Sequence, residues 1–313
     1  MSHAPVIAAV DGSEHSLKAL EWASAEAARH RTGLLVAHVL PDHAQLYAGR
    51  RASLHDRTEP EEIADPVHAW IRTALGGGRE LPEGVVYEAL EGSVPEALRV
   101  IGARGRMLVM GSRGRGGFKA LLLGSNSRAV TATAPCPVVV VPHADRGAGA
   151  DAAEESAGRV VLGLHVSETP DDVVVHAFTE AAVRGTTVQV VSAYAVPPAP
   201  ALMVDTPFAV IPPEGLADEG DGVPAEREML RAQTRRLAPF RGRYPDVPVE
   251  QAAVPGDAAG RLVTASASAA LVVVGRHHPR RTAMSFQIGS VAHAVLHHAH
   301  GPVAIVPTLR DDD

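Results

Sequence analysis

Apolar positions along this chain follow two alternating rhythms. Val6–Val10 (VIAAV) is an unbroken β-branched and apolar run, the pattern of a strand buried on both faces of a parallel sheet. After Asp-Gly-Ser, Leu17, Leu20, Trp22, Ala23 and Ala27 recur at near-helical spacing as far as Gly33, and the strand LLVAHVL follows. A loop-rich region leads to a helix that ends near Gly76–Gly78, then to the strand VVYEAL. GSVPEALRVIGAR predicts a helix with Ser93 as its N-cap and Pro95 early in it. MLVM and PVVVVP are the fourth and fifth strands, separated by a helix opening at Gly124. Strands alternating with helices predict an α/β fold built on an open, doubly wound parallel sheet, and right-handed crossovers put helices on both faces.

The same order occurs twice. Gly124–Pro142 (GSNSRAVTATAPCPVVVVP) and Gly289–Pro307 (GSVAHAVLHHAHGPVAIVP) agree at nine of 19 positions without a gap. Met107–Gly111 matches Leu271–Gly275, and Val6–Ser13 matches Val160–Ser167, with an offset that grows from 154 to 165. Two copies of one domain are expected, at 1–142 and 159–309, joined by a small, polar, acidic linker at 143–158. The final strands, Val138–Val141 and Val303–Val306, are apolar edges that would invite aggregation if bare. Pairing them about a pseudo-two-fold axis would cover both. The second copy differs mainly in Val196–Pro224, whose seven prolines predict an irregular surface excursion, with a lid or partner-docking role as the alternative.

Composition narrows the function classes. With 46% hydrophobic residues and one cysteine, Cys136, the chain is globular and holds no disulfide framework. No stretch is long and apolar enough to span a bilayer, and the N-terminus lacks the basic region of a signal peptide, so a cytoplasmic protein without a membrane partner is expected. The net charge of −7 sits mostly outside the domains: residues 1–142 carry 15 basic and 15 acidic side chains, and residues 159–309 carry 12 and 14. There is no basic footprint for nucleic acid, and 4% aromatics leave few stacking platforms.

The segment after the fourth strand, GSRGRGGFKALLLGS, carries the chemistry. Gly111 ends the strand, Gly114 follows after two residues, and Gly124-Ser125 after nine more. Ligands of doubly wound sheets bind outside the carboxyl ends of the strands, where glycines let the backbone come close to a phosphate. The amides of Gly124, Ser125 and Asn126 would open the last helix with free donors. Ser125 and Ser127 add hydroxyl donors, while Arg113, Arg115 and Lys119 make the loop positive. Asp11, at the end of the first strand, can accept from an adenine amino group or a ribose hydroxyl, or else cap the helix that follows.

Gly111-x2-Gly114-x9-Gly124-Ser125, with VDGS at the first strand, resembles the ATP-binding pattern of universal stress proteins. The resemblance covers nearly the whole chain as two tandem domains, and every glycine of the motif is present in the first. It implies an adenine nucleotide alpha hydrolase-like domain with a five-stranded parallel sheet, binding ATP with or without Mg. Carried over, Asp11 would contact adenine or ribose and Val39 would contact adenine through its backbone. Gly111, Gly114, Gly124, Ser125 and Asn126 would surround ribose and phosphates, with Ser127 nearby. Asn126 replaces a small apolar residue at a mainly backbone contact. The resemblance also implies dimerisation through the last strand, so the tandem would be a dimer on one chain, with further homo-oligomerisation left open.

The second copy departs from the pattern. His165 stands at the Asp position and Val166 at the following Gly, His278 replaces the second motif glycine, and Gly289 comes one residue late. Weak or absent ATP binding is expected there, the domain serving as a structural partner. His293 and His297 are spaced to chelate, but no third ligand is evident. Cys136, between two prolines, reads as a small core residue. Neither a Walker pattern nor a GxSxG elbow is present. The expectation is an ATP-binding, stress-related regulator acting on an unidentified protein partner. Its rivals are a slow ATPase or autophosphorylating enzyme using Ser125 or Ser127, and a nucleotide-independent scaffold.

Overall fold

The strand–helix alternation read from the sequence is present in both copies. The computed structural model describes residues 4–40, 66–76, 83–114, 123–142, 158–194, 222–276 and 288–308. The first copy runs β1 (Val6–Val10), α1 (Glu14–Arg29), β2 (Leu34–Val39), α2 (Pro66–Ala74), β3 (Val85–Leu90), α3 (Val94–Gly102), β4 (Met107–Gly111), α4 (Ser125–Thr133) and β5 (Val138–Val141). The second runs β6 (Arg159–Gly163), α5 (Asp171–Arg184), β7 (Val188–Tyr194), α6 (Gly222–Arg243), β8 (Val249–Pro255), α7 (Ala258–Ala265), β9 (Ala269–Gly275), α8 (Ser290–His298) and β10 (Val303–Val306).

All ten strands join one sheet in the order β3-β2-β1-β4-β5-β10-β9-β6-β7-β8. Within each half every pairing is parallel, and the chain switches direction of winding between β1 and β4, and again between β6 and β9. The halves meet where β5 and β10 pair antiparallel, with Val139 opposite Ala304 and Val138 opposite Ile305. The two apolar edges therefore cover each other, as the repeat suggests. Successive strand residues point to opposite faces. Val6, Ala8 and Val10 face a core shared with α1, α2, α5 and α6, while Ile7 and Ala9 face one shared with α3, α4, α7 and α8. Both cores continue across the seam, since Val139 and Ala304 lie in the first, and Val140 and Val303 in the second.

Local chemistry accounts for the turns that matter. Ser93 stands at the N-cap of α3 with Pro95 in the first turn, although its hydroxyl makes no cap hydrogen bond. In the first copy, Gly12 takes a φ of 77°, which lets the chain turn from β1 into α1 within three residues. The second copy has Val166 there, and the chain instead takes a longer route past Pro170, which caps α5. The detour leaves the offset unchanged: Val6 pairs with Leu34 as Val160 pairs with Val188, and the offset grows only between there and the next strand, where Val85 corresponds to Val249. α6 takes Val223 and Pro224 into its first turn, where proline is tolerated, so the C-terminal end of the stretch expected to be irregular is helical. The other six prolines of that excursion, the linker before Gly158, Gly77 and Gly78 lie outside the described residues.

Candidate functional site

The carboxyl ends of β1 and β4 bring Asp11, Gly111 and Gly114 together. Ser13, not Asp11, is the N-cap of α1, accepting from the Ser16 amide at 3.2 Å. Asp11 braces that cap: its Oδ1 accepts from the Ser13 amide at 3.0 Å and from the Ser13 hydroxyl at 2.6 Å. The capping role considered for Asp11 thus falls to its neighbour. Its Oδ2 is turned toward Gly114, where an added Cβ would lie only 2.5 Å from it.

The three motif glycines have different reasons to be glycine. At Gly111 a Cβ would lie 2.8 Å from the carbonyl oxygen of His15, so close packing of α1 on β4 requires the residue. At Gly114 the Asp11 carboxylate requires it. Gly124 has an ordinary φ of −73°, and its Cβ would be no nearer than 3.5 Å to anything, so nothing within the described fold demands glycine there. Its amide donates to the Ser112 carbonyl at 2.8 Å, which fixes the entry to α4. With no side chain at the cap, the first-turn donors of α4 are open to an incoming group, and Ser125 and Asn126 are exposed.

Ser127 differs from its expected part. It is buried, and its hydroxyl donates to the Gly111 carbonyl at 3.0 Å, so its proton ties α4 to β4 and is not offered outward. Sequence reasoning passed over Ser112. Its Oγ is buried without a hydrogen-bond partner, and the Arg113 Nε beside it is likewise unpartnered. Orphaned buried donors are rare enough to need an explanation, and two stand next to each other in the Gly111–Gly114 turn. Val39 lies one residue beyond the last β1–β2 pair, Val10–His38, at the same end of the sheet. Arg115 and Lys119 lie outside the described residues.

The second copy keeps room but changes the chemistry. A cavity of about 610 Å³ opens at the carboxyl ends of β6, β7 and β9, lined among others by His165, Ser192, Met229, Arg276 and Ser290. Where the first copy has a carboxylate, the exposed His165 accepts or shares a proton with Ser167 across 3.3 Å. Arg276, following β9, donates to the Ala134 carbonyl at 2.8 Å across the seam, so its charge is partly engaged in joining the halves. His278 lies outside the described residues. Cys136 is a core residue whose thiol is pushed up to about 11 by burial. The His293 and His297 rings lie 4.4 Å apart on α8. Among the described residues, no helix is long and apolar enough to cross a membrane.

Comparison with known proteins covers both copies. The model of the universal stress protein family matches residues 4–142 and again residues 157–307. The chain is 33% identical over 305 residues to a universal stress protein of Mycobacterium tuberculosis (strain H37Rv), spanning 96% of each chain. It is 31% identical over 306 residues to one of Mycolicibacterium smegmatis, again over 96% of each. Its fold is similar to the crystal structure of a universal stress protein from Archaeoglobus fulgidus, with a TM-score of 0.60, 18% identity, and coverage of 98% of this chain and 97% of that one.

Proposed function

The chain belongs to the universal stress protein family, and on that premise we propose that its first domain, residues 1–142, binds ATP at the carboxyl ends of β1 and β4. Asp11 Oδ2 would accept from adenine or ribose, and Val39 would meet the base through its backbone. Gly111, Gly114, Gly124, Ser125 and Asn126 would surround ribose and phosphates, with Ser127 holding α4 in place. The observation that carries this reading is the pair of orphaned donors, Ser112 Oγ and Arg113 Nε, beside a helix N-terminus whose glycine cap no internal packing requires. Such a set suits a polyphosphate, since free amides, a guanidinium and a hydroxyl all favour an anion. Any Mg²⁺ would arrive with the triphosphate as its counter-ion.

The second domain, residues 159–309, is the divergent partner that completes the sheet. Its cavity offers space, but His165 replaces the carboxylate and Arg276 is partly committed to the seam. The role is regulatory and cytoplasmic: nucleotide occupancy alters a surface read by a protein partner. The slow-ATPase reading narrows to Ser125, because the Ser127 proton is already donated to Gly111. Mass spectrometry of small molecules released from the freshly purified, denatured chain tests the proposal. About one ATP per chain, lost in Asp11→Ala with Gly114→Val, is the expected result. Two per chain refute the account of the second domain, and an empty protein that ignores added ATP refutes the nucleotide reading.

A further inference from the structure

α1 and α5 lie on the same face of the sheet, one from each copy, and bring a set of charged side chains together in the interior. Glu26 lies in the last turn of α1 and His30, four residues on, is its C-cap, while His176, Glu180 and Arg184 occupy successive turns of α5. The side chains of Glu26, His30 and Glu180 are at most 2% exposed. Arg184 donates to Oε2 of both glutamates, and the Trp22 ring lies against its guanidinium at 5.9 Å. That arrangement leaves Oε1 of each glutamate for His30. Its Nε2 is 3.1 Å from Glu180 Oε1 and 3.6 Å from Glu26 Oε1.

Glu26 Oε1 is the anomaly. It is fully buried and has no hydrogen-bond partner, a costly state for a carboxylate oxygen. A tetrahedral ion with bonds of about 2.0–2.1 Å has ligand atoms about 3.3–3.4 Å apart. The separations of 3.1 and 3.6 Å bracket that edge, and the three atoms all lie within 4.8 Å of one another.

We propose that Glu26 Oε1, His30 Nε2 and Glu180 Oε1 are the ligand set of a divalent transition-metal site, of Zn²⁺ type, that joins the two domains. Two carboxylates and an imidazole suit such an ion, whereas Mg²⁺ or Ca²⁺ would ask for six or more oxygens. Arg184 acts as the outer partner that orients both carboxylates through their far oxygens. Arg29 reaches the same far oxygen of Glu26 from the surface at 3.5 Å. The half-buried His176, whose Nε2 is buried without a hydrogen-bond partner, stands one turn before Glu180 as a spare imidazole.

The full-length chain, stripped by a chelator, is titrated with Co²⁺ and with Zn²⁺, and bound metal is counted after gel filtration. One ion per chain is expected, with visible Co²⁺ absorption of the tetrahedral type that Zn²⁺ abolishes. His30→Gln and Glu180→Gln should weaken binding by more than about 100-fold, since even outer partners of metal ligands are worth about 10–100-fold. His293→Ala with His297→Ala serves as the control and should bind like the parent. If circular dichroism shows that either ligand variant fails to fold, Glu26→Gln replaces it, because its near oxygen has no hydrogen bond to lose. No stoichiometric binding by the parent, unchanged binding in the ligand variants, or loss of the ion in the His293/His297 variant each overturns the proposal.

Discussion

Replacing Gly114 by alanine tests the crevice through a single methyl group. The new Cβ would lie 2.5 Å from Asp11 Oδ2, about 0.9 Å short of the 3.4 Å at which ordinary contact begins. The carboxylate cannot simply swing aside, because Oδ1 is held by the amide and hydroxyl of Ser13. Relief therefore costs one or both of those charge-assisted bonds, about 1.5–3 kcal/mol for each. The same displacement takes Oδ2 from the place where it would meet the nucleotide. Losing one charged hydrogen bond of about 1.5–3 kcal/mol weakens ATP binding by roughly 10–150-fold. Calorimetric titration with ATP and thermal melts of four proteins would measure both effects: the parent, Gly114→Ala, Asp11→Ala and the double variant. Once Asp11 is truncated, the Gly114 methyl has nothing to strike, so the double variant should match Asp11→Ala alone. Losses that simply add would show that the two residues are not coupled and would refute this account of the glycine.

Other consequences can be measured independently. Ser127→Ala leaves the Gly111 carbonyl without its donor and should destabilise the fold by about 1–3 kcal/mol, read by urea denaturation. Phe178, fully buried against the Phe240 and Tyr244 rings, should cost about 3–5 kcal/mol when replaced by alanine, measured in the same way. Val139→Asp puts an unpaired charge opposite Ala304 at the seam, and limited proteolysis should then cut between the domains far faster than in the parent. At pH 8, Cys136 should resist a thiol reagent until the protein is denatured. Its thiol titrates near 11 when folded, so its contribution to stability is complete below the unfolded thiol range and is lost as pH rises through that value.

Much of the fold was legible because it rests on short-range pattern. Unbroken apolar runs such as VIAAV and VVVV have no face to spare for water, so they predict central strands, and the repeat of GS…P…VP revealed the second domain. The pairing of β5 with β10 followed from the same logic, since two bare apolar edges on one chain have an obvious remedy. Site details were less legible because they depend on which neighbour each atom finds. Asp-Gly-Ser offers two cap residues, and only the turn allowed by the positive φ of Gly12 decides that Ser13 caps while Asp11 braces it. A serine one turn into a helix reads as a phosphate donor, yet at Ser127 the Gly111 carbonyl is nearer. Glu26 and Glu180 sit 154 residues apart on helices whose other faces look ordinary, so no local spacing announces their meeting.

The antiparallel joint between β5 and β10 also sets the polarity of the whole molecule. Strands of the first half run one way and those of the second half the other, so the two sets of carboxyl ends open on opposite edges of the ten-stranded sheet. A strand of five residues spans roughly 16 Å. A molecule seated at Asp11 and one in the cavity beside His165 therefore cannot touch, and a partner gripping one rim leaves the other bare. The two rims are joined through the sheet, across the Val139–Ala304 pair of its seam.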